Sequence, residues 1–89
     1  MGEKMSKVNR RKFITPDGRI VETWFDVYWY AIDKNGDRYF YESKPEINNC
    51  RPVWLSETFW LQRCGQQKGK FNWKKCRWYL DDKGKWVRK

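Results

Sequence analysis

Between two aromatic runs, WYAI and RYFY, the chain places Asp33-Lys34-Asn35-Gly36-Asp37. Asn-Gly is the strongest short hairpin signal, because a tight turn that matches the twist of its strands needs positive φ at its central residues. This turn therefore commits the middle of the chain to antiparallel β-structure. Pro16-Asp17-Gly18, between Phe13-Ile14 and Ile20-Val21, predicts an earlier hairpin, since Pro presets one turn torsion and Gly supplies the other. Asp82-Lys83-Gly84, between Trp78-Tyr79-Leu80 and Trp86-Val87, predicts a last one.

The flanking residues alternate at the period of a strand. From 23 to 32, the pattern puts Phe25, Val27, Trp29 and Ala31 on a dry face and Trp24, Asp26, Tyr28 and Tyr30 on the other. From 71 to 80 it puts Cys76, Trp78 and Leu80 inward, and Trp73, Lys75, Arg77 and Tyr79 together on a basic-aromatic face. Pro45, Asn48-Asn49 and Pro52 mark residues 44–52 as a loop. WLSETFWLQRCG predicts a short helix over about 56–64. Ser56 is placed to cap it, Glu57 suits the first turn, Leu55 and Trp60 have staple spacing, and Gly65 ends it. The expectation is an α+β fold: a small twisted antiparallel sheet of hairpins with one short helix, as a single domain over 11–89 behind a flexible basic arm over 1–10.

Composition makes such a small core workable. In 89 residues there are seven Trp, five Tyr and five Phe, and each can bury about 150–250 Å². No apolar run approaches the roughly 20 residues of a membrane span, and MGEKMSKVNRRK lacks the apolar stretch of a signal peptide, so no membrane association is expected. Cys50, Cys64 and Cys76 are odd in number and widely spaced, which predicts reduced, half-buried thiols in a cytoplasmic setting. With no His and no C-x-x-C, neither a metal nor another cofactor is expected. The lack of His, of a nucleophile–base pair and of a phosphate loop points away from an enzyme.

Charge gives the functional direction. The net charge is +9, with 20 Lys and Arg against 11 Asp and Glu. Residues 1–13 carry five bases and one acid, residues 14–62 five bases and eight acids, and residues 63–89 ten bases and two acids. Basic ends around an acidic middle predict a polyanionic partner. Cationic grooves with aromatic platforms bind unpaired nucleic acid, and alternate strand residues about 6.5–7 Å apart match the step of stretched bases. The expected partner is thus RNA or another single-stranded nucleic acid, and no helix carries the clustered Arg and Asn needed to read duplex DNA. The expected contacts are Lys68, Lys70, Lys74, Lys75, Arg77, Lys85 and Arg88 on phosphate and Trp73 and Tyr79 on bases, with Arg10, Arg11 and Lys12 added from the arm. The alternative is a protein-binding module or inhibitor that engages an acidic host protein, such as a nuclease or polymerase, through exposed Trp, Tyr and Arg. A monomer or a small homo-oligomer fits either use.

The segment NWKKCRWYLDDKGKWV resembles one copy of the cell-wall (choline-binding) repeat, on Trp73, Trp78, Tyr79, Asp82, Gly84 and Lys85. Such repeats stack into solenoids, but no regular period runs through this chain, so the likeness is one of hairpin chemistry. As a type, a short, His-free, Trp-rich basic domain is similar to small accessory proteins of tailed phages. That resemblance implies action on host nucleic acid or host enzymes in the host cytoplasm.

Overall fold

The computed structural model describes residues 11–48, 50–58 and 60–89, so the expected arm over 1–10, with Arg10, lies outside the described residues. All the predicted turns close hairpins. Strand β1 (Arg11–Ile14) pairs with β2 (Ile20–Thr23) around Asp17-Gly18. Strand β3 (Trp29–Ile32) pairs with β4 (Asp37–Tyr41), Trp29 facing Tyr41 and Ile32 facing Arg38. Strand β8 (Arg77–Leu80) pairs with β9 (Trp86–Arg88). The two-residue strands β5 (Glu46–Ile47) and β6 (Trp54–Leu55) form a small flap. The main sheet has five strands in the order β7-β4-β3-β8-β9, all antiparallel, with β7 spanning Leu61–Gln66.

The expected α+β class is therefore wrong: the fold is all-β, with 44% of the described residues in strands and 4% helical. The helix predicted over 56–64 does not form. Ser56 Oγ donates to the Thr58 carbonyl (2.9 Å) instead of capping a helix, and Leu61–Gln66 runs as a strand along β4. A two-turn helix has no stability of its own, whereas β4 offers a row of backbone groups that this segment satisfies. Cys64 is buried in the core, while Trp60, which has staple spacing from Leu55, packs against Phe25 at 6.1 Å. Gly65, read as a helix stop, sits where the β4–β7 register shifts between Arg38 and Tyr39. Its φ is +153°, and a Cβ there would collide with the Arg19 guanidinium.

Both faces of the main sheet are covered, each by a different hairpin. On one face Phe25, Val27, Tyr30, Ile32, Phe40, Cys64 and Cys76 form a core against which Phe13 and Val21 of β1–β2 pack, with Trp78 and Trp86 beside them. Tyr30 lies 5.4 Å from Trp78 and 5.8 Å from Trp86, and Phe40 stacks on Trp86 at 6.0 Å. On the other face Ala31, Tyr41 and Trp54 form a second cluster, with Trp29, Tyr39, Ile47 and Trp73 around it. The dry face expected over 23–32 is thus corrected. Phe25, Val27 and Tyr30 share one core, whereas Trp29 and Ala31 belong to the other. The chain is irregular from Trp24 to Tyr28 as it crosses from β2 to β3, and alternation does not carry across that break.

Polar contacts fasten the two covers. Arg38, only 9% exposed, donates to Tyr30 Oη (3.2 Å) and Gln67 Oε1 and pairs with Asp17 (2.6 Å) in the β1–β2 turn. Burial works to raise the Asp17 carboxyl, but the Thr15 hydroxyl and the Arg38 and Arg19 charges outweigh it and hold it below its usual range. Across the sheet, Asp33 Oδ1 accepts the Trp54 backbone N–H (2.8 Å), Trp54 Nε1 donates to the Ile32 carbonyl (3.0 Å), and Tyr41 Oη donates to the Trp54 carbonyl (3.3 Å). Gly36 closes the β3–β4 turn at φ +94°, and a Cβ there would strike the Gln67 backbone. Among the described residues no helix is long and apolar enough to cross a membrane. The thiols differ from expectation in one respect: Cys50 is exposed, while Cys64 and Cys76 are buried. Burial pushes the Cys64 thiol up to about 12.

Asp33 makes stability depend on pH. Burial raises its carboxyl to about 6, only partly offset by the Trp54 N–H, and Asp37 adds to the rise. The unfolded chain holds the same proton with a pKa of about 3.9, so folding takes up a proton between roughly pH 4 and pH 6. This group's contribution therefore grows as pH falls through that window and is smallest above it. Acidification from pH 7 to pH 5 is expected to raise the melting temperature by several degrees, until protonation of Asp17 reverses the trend below about pH 4. Asp33→Asn, which keeps an acceptor for the Trp54 N–H, is expected to remove the rise. Thermal melts across pH 3–8 check both statements, and an unchanged slope in the variant sinks them.

Candidate nucleic-acid interface

Within β8 the expected alternation holds. Trp78 packs on the first core, while Arg77 and Tyr79 point to the opposite side. That side, however, is not an open platform, because the β5–β6 flap roofs part of it. The Arg77 guanidinium lies 5.6 Å from the Trp29 ring centroid and 5.3 Å from that of Trp54. Its Nη1 donates to the Pro45 carbonyl (3.0 Å) and to Glu46 Oε1 (2.6 Å), and its Nη2 donates to the Lys89 carbonyl (2.9 Å). With its side chain only 17% exposed, Arg77 is spent on the fold. Tyr79 is half-buried against Trp29 at 5.0 Å, and Lys44 Nζ lies over the Trp29 ring at 5.8 Å.

The strand expected over 71–80 is shorter than predicted. Trp73–Lys75 forms a single 3-10 turn, closed by Lys75 N–H to the Asn72 carbonyl and Cys76 N–H to the Trp73 carbonyl, both at 3.0 Å. The turn swings Trp73 edge-on against Trp54, with ring centroids 6.1 Å apart. Trp73, Lys75, Arg77 and Tyr79 therefore do not form one continuous strand face. Lys68 and Lys70 are exposed on the segment leading into this turn, as are Lys74 and Lys75 within it. Lys85 is exposed beyond β8, its backbone N–H held by Asp81 Oδ1 (2.8 Å). Arg88 sits over the Trp78 ring at 5.0 Å, on the opposite face from Arg77. Of the arm contacts, Lys12 is exposed on β1 and Arg11 is paired with Asp26.

Tertiary structure assembles a site that sequence reasoning missed. Lys34, Arg51 and Lys74 line one groove of about 390 Å³, with Trp73, Ile47 and Pro52 forming its apolar walls. The parts come from three segments, and backbone pairing explains their meeting. In the β3–β8 register Ala31 faces Arg77, and Ile32 N–H donates to the Cys76 carbonyl (3.0 Å). Continuing along the same two chains carries Lys34 toward Lys74. The Lys34 N–H donates to the Pro52 carbonyl (3.2 Å), which brings in Arg51. Trp54, held by Asp33, anchors the segment that carries both. In the sequence Lys34 is only a turn residue and Arg51 only a loop residue; their convergence depends on the β3–β8 pairing, which no local pattern encodes. Among the described residues no carboxylate lines this groove, and no three acidic or Cys side chains gather as a metal set.

Fold and site together define a small all-β domain, covered on both sheet faces, with an unneutralised cationic groove beside a tryptophan. No protein-family model, curated protein or solved structure matches the chain.

Arg77 and Lys75 separate structure from surface. Arg77→Ala strands the Glu46 carboxylate and two backbone carbonyls and opens space between Trp29 and Trp54. It is expected to destabilise the fold by about 2–3 kcal/mol, and Arg77→Lys is expected to recover little, because an ammonium cannot span the same acceptors. Lys75→Ala, on an exposed side chain, is expected to leave stability within about 0.5 kcal/mol. Urea denaturation of the three variants checks this, and equal midpoints for Arg77→Ala and Lys75→Ala contradict it.

Proposed function

We propose that the protein is a non-catalytic binder of RNA or another single-stranded nucleic acid. The observation that carries the reading is the groove in which Lys34, Arg51 and Lys74 converge beside Trp73, with no carboxylate lining it among the described residues. Lys68, Lys70 and Lys75, exposed on the adjoining segment, extend the cationic surface and attract phosphate through charge that salt screens. Trp73 supplies the aromatic wall against which an unpaired base stacks. Arg77, expected as a contact, instead lies over Trp54, the ring on which Trp73 rests, and Tyr79, also expected, packs against Trp29. Among the described residues a short 3-10 turn and short strands present no helix for a major groove, which favours unpaired strands over duplex DNA.

Binding is expected to weaken steeply with salt. Each phosphate contact removed by Lys68→Ala, Lys70→Ala or Lys75→Ala should lower the slope of log K against log salt concentration by roughly 0.7. Fluorescence anisotropy with a labelled single strand over a salt series measures this. Absence of binding at low salt ends the reading.

A second reading rests on a different surface. Trp24, Trp60 and Leu61 are 60%, 55% and 40% exposed next to β7, the outer strand of the sheet among the described residues, and exposed aromatics beside an outer strand suit a protein contact. That reading requires a complex of fixed stoichiometry that survives nuclease treatment and is lost on Trp60→Ser.

A further inference from the structure

The cationic groove is more selective than a general attraction for polyanions requires. Elsewhere among the described residues the arginines are paired with carboxylates, except Arg88, which lies over the Trp78 ring. Arg11 pairs with Asp26, Arg19 and Arg38 with Asp17, Arg63 with Asp37, and Arg77 with Glu46. Arg51 is not in an ion pair among the described residues, and neither are the two lysines that share its groove. Three positive charges drawn from three segments into one concavity repel one another, and among the described residues no carboxylate lines the groove to offset that repulsion. The fold holds them there through backbone pairing, with the Trp54 anchor keeping the Arg51 segment in place.

We infer that this groove holds the terminal phosphate monoester of a nucleic-acid strand, in preference to an internal phosphodiester. The inference rests on the nucleic-acid reading and names the part of the strand that the groove takes. Charge is the first argument. A phosphate monoester carries about −1.5 to −2 near neutral pH, whereas each phosphate within a strand carries a single negative charge. Three cations in one groove match the former and overcompensate the latter. Geometry is the second. The guanidinium of Arg51 offers a planar fork of donors suited to phosphate oxygens, and two ammonium groups can meet the remaining ones. Size is the third. At about 390 Å³ the groove is near the lower end of the roughly 300–1,000 Å³ range of small-molecule sites. That volume suits one nucleotide unit and not a length of strand. Trp73, steadied edge-on by buried Trp54, lies where the base attached to the terminal phosphate would stack.

The test uses one oligonucleotide sequence made with a 5′-phosphate, with a 3′-phosphate, or with hydroxyls at both ends, and reads anisotropy at fixed salt. One phosphorylated form is expected to bind about tenfold tighter than the hydroxyl form, the scale of one added charge-assisted contact. Which form does so identifies the end. A nucleoside monophosphate is expected to compete at lower concentration than inorganic phosphate, whereas equal competition overturns the role given to Trp73. Arg51→Gln and Lys74→Gln are each expected to reduce the phosphorylated-to-hydroxyl ratio to about one, whatever affinity remains. Both side chains are exposed, and a thermal melt of each variant confirms that it is folded. Equal binding of all three oligonucleotides by the unaltered protein overturns the inference and leaves the nucleic-acid reading standing. Binding of none of them overturns that reading, and the inference with it.

Discussion

The placement of Trp54 organises one side of the molecule. Its backbone N–H, indole N–H and carbonyl are each bonded, to Asp33, Ile32 and Tyr41 in turn. A two-residue strand such as β6 has little stability of its own, so these bonds hold the flap down. Once it is fixed, Arg77 has a second aromatic wall, Trp73 has an edge to rest on, and the segment bearing Arg51 and Pro52 reaches the β3–β4 turn. The cationic groove is the far end of that chain of contacts. Asp33 carries the cost: its carboxyl is buried without a cation, and burial raises its pKa to match.

The hairpins were legible because their turns are local chemistry. Asn35-Gly36, Pro16-Asp17-Gly18 and Asp82-Lys83-Gly84 need only their own torsions to act, and aromatic runs on both sides complete the signal. Residues 56–64 were misread for the opposite reason. Ser56, Glu57 and Gly65 carry real helix-end preferences worth about 1 kcal/mol or less apiece. Pairing with β4 and burial of Cys64 outweigh them, and neither partner lies nearby in the sequence. The face of β8 illustrates a further limit. Alternation correctly grouped Arg77 with Tyr79, but it carries no information about a roof supplied by residues 45–55. Lys34 and Arg51 could not be recognised as partners of Lys74 without the β3–β8 register.

The two kinds of basic side chain are used differently. Most of the described arginines are anchors: Arg38 fastens one cover of the sheet, Arg77 fastens the other, and Arg19 fills the space left by the missing side chain of Gly65. The planar fork of a guanidinium serves several acceptors at once, which suits it to such joints. The lysines from Lys68 to Lys75 remain in solvent. Net charge therefore overstates the binding surface, since much of the arginine charge is already neutralised within the fold. Part of what remains converges in one groove, where Lys34, Arg51 and Lys74 meet.

The strand order carries a consequence for how the chain is made. Strand β3 lies at the centre of the main sheet, yet one of its two neighbours, β8, comes from near the other end of the sequence. During synthesis the β3–β4 hairpin emerges early and must wait with one long edge unsatisfied and its aromatic faces uncovered. Closing that gap requires a large loop, which makes the pairing slow. Until it closes, Trp29, Tyr30 and Ala31 present the kind of open strand that pairs with other chains. The half-built sheet, more than the finished core, is the stage at which association with other chains competes with folding. The unfinished chain has little net charge to keep its copies apart: residues 1–62 carry ten bases and nine acids, and the basic surplus arrives only with residues 63–89.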